Sequence, residues 1–213
     1  MKKALLLLLI LMIPVFGIFA KNYLTTSFGV AFFNATETVT YEGVTASANE
    51  KSSCMSLDLS SSWFGDSSRV GFNLGMTILY PLSKSIDGVE YTTRFLNCNW
   101  CPKLGVSMKY EVSDKFCSIS SIGYEMMFNF ASEYSSELGA TISSTVFVHG
   151  LYATESFIYT VDSNMSFNFG LSMYVPLFGS QKLSAPGYGS ETYRGTYSGM
   201  MINPQVGFNI NYR

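Results

Sequence analysis

Residues 70–82 read VGFNLGMTILYPL, and residues 165–177 read MSFNFGLSMYVPL. In both stretches every second residue is apolar: Val70, Phe72, Leu74, Met76 and Ile78 in the first, Met165, Phe167, Phe169, Leu171 and Met173 in the second. The residues between them are small or polar. A period of two gives a strand with one apolar face and one wet or tightly packed face. The spacing from Phe72 to Phe167 equals that from Pro81 to Pro176, so the second stretch is a copy of the first in register.

A second pair extends the copy to a multi-strand unit. Pro102 to Tyr110 reads PKLGVSMKY and Pro204 to Tyr212 reads PQVGFNINY, with proline, glycine and tyrosine in one register. A weaker match sets Ser27, Phe28 and Gly29 against Ser121, Ile122 and Gly123. Internal repetition constrains the whole architecture. Two four-strand units make eight strands, and an even number of antiparallel strands can close and leave no raw edge.

Composition narrows the class. Of 213 residues, 47% are hydrophobic and only 13% charged, against about a quarter in ordinary soluble domains. After the amino terminus no stretch has the roughly 20 unbroken apolar residues of a membrane helix. Dispersed apolar residues in an exported chain are the signature of an outer-membrane barrel. Met1 to Ala20, MKKALLLLLILMIPVFGIFA, has a basic start, a leucine-rich run and a small residue at its end, and reads as a secretory signal peptide cleaved near Ala20. The barrel domain is then 21–213. Loss of the leader's two lysines takes the formal charge from -2 to -4, which gives no electrostatic reason to expect nucleic acid.

Alternation predicts eight strands, at about Tyr23 to Asn34, Cys54 to Phe64, Val70 to Leu82, Trp100 to Val112, Phe116 to Phe130, Thr141 to Tyr159, Met165 to Leu177 and Pro204 to Arg213. The sixth is the least regular. Ala35 to Lys51, Ser83 to Asn97, Ala131 to Gly139 and Phe178 to Asn203 read as long polar loops, and the other connections as short turns. Strands of this length tilted near 40° cover roughly 25 to 33 Å, the thickness of a hydrocarbon core. A soluble barrel with its apolar set turned inward is the competing solution. The polar faces decide against it, because they are built of Gly, Ser, Thr and Asn where a water-facing sheet carries Lys and Glu. Trp63, Tyr110 and Tyr212 stand on apolar faces close to the short-turn ends, where an aromatic girdle belongs.

On these patterns the chain resembles the small eight-stranded outer-membrane barrels of diderm bacteria, the class of the OmpA membrane domain, OmpX and OmpW. The resemblance implies a monomeric all-β, eight-stranded antiparallel transmembrane barrel, in contact with outer-membrane lipid and inserted by the barrel-assembly machinery. In that class the last strand carries an assembly signal, matched here by Gln205, Gly207, Ile210 and Tyr212, although Arg213 replaces the usual terminal aromatic residue. The OmpW-like members are associated with passage of small hydrophobic molecules.

Asp58, Lys103, Lys109, Glu111 and Glu125 fall on the predicted inward faces. A charge facing lipid at mid-depth costs roughly 2 to 4 kcal/mol, so inward placement is expected. There they either line a solute path or pair into a network that plugs a narrow lumen. Cys98, Asn99, Trp100 and Cys101 form a CxxC without a helix to lower a thiol pKa and without two further ligands for zinc. A disulfide from Cys54 to Cys98 or Cys101, tying the first two loops, is expected instead, with Cys117 a buried thiol. His149, the single histidine, shares a face with Phe147 and Leu151 and lacks a serine or acidic partner, so it is read as structural and no enzyme or cofactor is expected. Tyr188, Tyr193 and Tyr197 lie among glycines in the last long loop, a composition that suits adaptable contact with an extracellular ligand or host surface. The functional expectations are a narrow channel or facilitator for small solutes, or a closed structural or adhesive barrel whose loops act.

Overall fold

In a computed structural model the described residues are 21–42, 44–65, 67–91, 98–135, 139–187 and 189–212. The leader and Tyr188 lie outside them. Among the described residues there are nine strands: β1 Lys21–Tyr41, β2 Val44–Phe64, β3 Val70–Ile86, β4 Val89–Tyr91, β5 Asn99–Ser113, β6 Phe116–Ser135, β7 Ala140–Thr160, β8 Met165–Ala185 and β9 Gly189–Tyr212. All pairings are antiparallel. Each long strand pairs with the next, β3 passes over β4 to pair with β5, and β9 returns to β1, so hydrogen bonding closes into a ring. Nine strands replace the expected eight because a three-residue strand, β4, folds back on the end of β3 through a turn at Asp87 and Gly88. It pairs with β3 alone, and the ring itself has eight members.

The repeat is visible in three dimensions. The copied stretches are β3 and β8, and the PxxG segments are their following neighbours β5 and β9. Short turns stand where expected, between β2 and β3, β5 and β6, and β7 and β8. The long polar loops do not. Residues 35–41 and 44–51 continue β1 and β2 as one hairpin, and residues 178–185 and 189–203 continue β8 and β9. These stretches lack the apolar contrast that marks a strand in sequence, and they are held by ladder hydrogen bonds to neighbouring strands. The sixth expected strand is β7, continuous over 21 residues with one irregularity at His149 and Gly150.

Outward residues form an apolar belt. On β9 it runs from Ile210 through Phe208, Val206 and Ile202 to Met200, all exposed, and above Met200 the outward positions become Ser198, Thr196 and Arg194. Ten residue steps at a tilt near 40° give a belt of about 25 Å. On β1 the strand continues past the belt from Phe33 to Tyr41, which carries the sheet about 20 Å further. Tyr110 is exposed at the short-turn rim, whereas Trp63 is covered, its ring stacked on Phe72 at 5.8 Å.

Candidate functional site: the lumen and its outer mouth

The inward positions sort into three layers. In the middle one, Asp58, Thr77, Lys103 and Glu125 come from the successive strands β2, β3, β5 and β6. The register places Asp58 beside Thr77 and Lys103 beside Glu125. The Lys103 ammonium donates to Asp58 Oδ2, and lies 3.3 Å from Thr77 Oγ1, while the Thr77 hydroxyl donates to the same carboxylate at 2.7 Å. Lys103 also lies 5.6 Å from the centroid of the Tyr152 ring. Asp58, Lys103 and Glu125 are all at most 3% exposed. Charges this deep are retained only with close partners, since desolvation costs several kcal/mol per ion.

Small side chains fill the rest of this layer. The Ser27 hydroxyl donates to Asn168 at 2.9 Å, Asn168 to Asn209 at 3.0 Å, and Ser56 to Asn203 at 2.8 Å, each bond reaching across the barrel interior or along its wall. Gly105 and Gly123 make room for Tyr152. A Cβ on Gly105 would stand 2.6 Å from the Tyr152 hydroxyl, and one on Gly123 2.8 Å from its ring. These are glycines of the repeated motifs, so the repeat carries a packing requirement.

Apolar layers lie on both sides. Toward the long hairpins, Phe33, Cys54, Leu79, Cys101, Tyr174 and Met201 cluster inside the barrel. Toward the short turns, Phe64, Cys117, Ile119 and Ile158 do the same. Residues of the sequence's polar-looking faces therefore include buried hydrophobes that periodicity did not single out. Lys109 sits beneath the lower layer, its ammonium 5.6 Å from the Phe64 ring centroid and 2.8 Å from Glu111. Glu111, expected to face the lumen, has a side chain 58% exposed at the rim of β5, where it pairs with Lys109.

Above the upper layer the inner face of the extension carries a different set. The Tyr197 hydroxyl donates to Glu37 Oε1 at 2.6 Å, Lys84 pairs with Glu50 at 3.0 Å, and the Tyr193 hydroxyl donates to Glu191. Tyr41 packs on Tyr193 with ring centroids 5.4 Å apart. Burial raises the Tyr197 pKa well above the usual tyrosine range, and the bond to Glu37 adds to this. The Tyr193 pKa is also raised, first by its bond to Glu191. Tyr193 and Tyr197 thus belong to strand β9 and not to a loop.

The remaining expectations divide. None of the four cysteines is in a disulfide. Cys54 and Cys101 are on β2 and β5 with β3 between them, about 9.5 Å of sheet, and Cys98 and Cys101 are about 10 Å apart along an extended chain. A disulfide needs Cα atoms within 4.4 to 6.8 Å. His149 faces outward, receiving a contact from the Tyr124 hydroxyl at Nδ1 and stacking on Phe178 at 5.0 Å. Of the terminal signal, Gln205 points inward, Ile210 outward, and Gly207 touches β1. Periodicity passed over Glu155, which lies on the outward face of β7 with Ser120 donating to its carboxylate. Its phase with Leu151 on β7 was the signal available.

No family model matches the chain, and no curated protein sequence matches it. Solved structures do share the fold. The outer membrane protein OprG from Pseudomonas aeruginosa aligns over 92% of this chain and 97% of its own, with TM-score 0.60 and 14% identity. The outer membrane protease OmpT from Escherichia coli aligns over 90% and 97%, with TM-score 0.51 and 9% identity. The chain accordingly has a fold of the bacterial outer-membrane β-barrel kind.

Proposed function

We propose that this protein is a monomeric, non-enzymatic outer-membrane barrel, exported with loss of residues 1–20, that excludes hydrated ions and facilitates passage of small apolar solutes. The observation that carries the reading is the apolar layer of Phe33, Tyr174 and Met201 lying between the outer mouth and the ionic layer. An ion would have to shed its water there and then displace Lys103 from Asp58, whereas an apolar solute gains by leaving water. The same layer meets an irregular wall. Pairing of β8 with β9 runs up to Tyr174 and Met201 and resumes at Phe178 and Thr196, leaving residues 175–177 and 197–200 outside that ladder. Pro176, in this gap, has no backbone donor to offer. Such interruptions cluster beside functional sites, and this one borders Tyr174 and Met201 of the apolar layer.

A second reading keeps the barrel wholly closed and gives the work to the hairpins that rise beyond the belt, through an extracellular ligand or host surface. It is favoured by their length and by the tyrosines on β9. One experiment separates the two. Mature protein, shown folded by its heat-shifted gel mobility, is expected to be silent in a planar bilayer. Cells carrying it should take up a small aromatic hydrocarbon faster than cells without it. Discrete ionic steps would overturn exclusion of ions. Silence with unchanged uptake would leave only the second reading.

A further inference from the structure

Above the belt the outward faces of β1, β8 and β9 differ in kind from the inward ones. They present Thr36, Thr38 and Thr40 on β1 and Thr192 and Thr196 on β9, and their only charges among the described residues are Lys182 and Arg194. The carboxylates of these strands, Glu37 and Glu191, alternate inward and accept the hydroxyls of Tyr197 and Tyr193, and Glu42 lies beyond, in the turn of the β1 and β2 hairpin. A sheet built to face water mixes both signs. Lys182 pairs with Thr192 and Arg194 with Ser180, so the two cations are diagonal neighbours, about 7 to 8 Å apart at the backbone. Neither is in an ion pair among the described residues. Phe178, 51% exposed at the edge of the belt, lies four residues below Lys182 and pairs with Thr196, two residues below Arg194. At a tilt near 40° the cations stand about 5 to 10 Å over that edge. This is the level of lipid headgroups, which add roughly 5 to 8 Å on each side of a hydrocarbon core. Phe147 on β7 and Phe128 and Phe130 on β6 continue the edge, their ring centroids 5.6 to 6.4 Å apart.

We propose that this outer face binds a phosphorylated glycolipid of the outer leaflet. Lys182 and Arg194 hold a phosphate, the phenylalanines meet acyl chains, and the threonines of β1 and β9 meet sugar hydroxyls. A guanidinium takes two phosphate oxygens at once and an ammonium adds a point charge, so long side chains on diagonal neighbours can close on one phosphate. With no outward carboxylate beside them, nothing on these strands competes for the cations or repels the anion. Thr38 and Thr40 bond Ser47 and Thr45 across the hairpin at 3.0 Å, which orders the hydroxyls and leaves them acceptor capacity for a sugar. A glycerophospholipid has the phosphate but no sugar for the threonines, and free phosphate has nothing for the rings. The site lies on the outside of the wall and stands whether or not a solute passes the barrel.

The test uses refolded mature protein in a maltoside detergent, which carries no phosphate, and native mass spectrometry to count retained lipid. The probes are a bisphosphorylated lipid A bearing two core sugars, the same lipid stripped of its phosphates, and phosphatidylglycerol. The first is expected to bind at least about tenfold tighter than either of the others, and the double variant Lys182→Gln, Arg194→Gln to lose about that preference in protein that keeps its heat-shifted mobility. Lys51→Gln, which removes an outward cation of β2, should bind as the wild type does. Thr38→Val with Thr196→Val, which keeps both cations, should narrow the preference over phosphatidylglycerol. Absence of the first lipid from wild type, equal retention of the stripped lipid or of phosphatidylglycerol, or full retention by the Lys182→Gln, Arg194→Gln variant each overturns the proposal.

Discussion

Tyr152 on β7 donates its hydroxyl to Asn73 Oδ1 on β3, 3.0 Å away, and the two strands are separated in the wall by β5 and β6. The bond therefore spans the interior, and Asn73 uses its own amide to hold Ser62 on β2 at 2.9 Å. The barrel is tied across its middle as well as around its circumference.

Removing that tie has a defined cost. Tyr152→Phe keeps the ring over Gly105 and Gly123 and leaves the Asn73 oxygen without this donor. A buried acceptor stripped of its partner costs about 1 to 3 kcal/mol. Urea unfolding of the detergent-refolded variant should show a loss in that range. An unchanged midpoint would mean that water replaces the hydroxyl and that the middle layer is wetter than the packing implies.

The ion pair should behave asymmetrically. Lys103→Met leaves Asp58 buried with Thr77 as its remaining hydrogen-bond donor, and breaking a buried pair from one side costs about 3 to 5 kcal/mol. The double variant Asp58→Leu, Lys103→Met should recover most of that loss, because uncharged residues of similar volume need no compensating partner. Equilibrium unfolding of both variants gives the comparison. Equal destabilisation of Lys103→Met and the double variant would show that removing the Asp58 charge recovers nothing, and that the loss does not come from leaving it unpaired.

Closure of the ring places a demand on Gly207. A Cβ at this position would come within 2.0 Å of the Thr26 carbonyl oxygen and 2.6 Å of Ser27 Cα, both backbone atoms of β1. Gly207→Ala should therefore push β9 from β1 and lower the yield of heat-modifiable barrel. Tyr212→Ala should impair insertion in cells while leaving unassisted refolding in detergent nearly intact. Normal insertion of Tyr212→Ala would remove that residue from the assembly signal.

The thiols offer a direct check on the register. Cys54, Cys101 and Cys117 are buried on the inward faces, so a polymer-linked maleimide should label none of them in folded protein and all of them after unfolding. Gel mobility should not change on reduction. A reduction-sensitive shift would require β2 and β5 to approach across β3, which the pairing does not allow.

How far the sequence could be read is clearest at particular residues. Alternation in VGFNLGMTILYPL and its copy placed β3 and β8 in register, because a strand half in contact with an apolar phase must repeat every two residues. The same rule turned Asp58, Lys103, Lys109 and Glu125 inward. It failed where both faces are polar. Residues 189–200 read as a loop because water on the outside and a solvated mouth on the inside ask for no contrast, yet ladder bonds to β8 and β1 keep them extended. The disulfide expected from Cys54 to Cys98 or Cys101 is absent for a related reason: alternation does not say which strands are neighbours, and β3 stands between β2 and β5.

By itself, then, the sequence determined the belt-crossing part of the eight wall strands, their repeat, their inner and outer faces and the apolar belt, since each follows from local periodicity. Only the tertiary structure decided how the interior is filled. Phe33 meets Met201, Lys103 meets Asp58 and Tyr152 meets Asn73 because closing the ring brings together inward positions from distant parts of the chain, and no local pattern records which of them share a level.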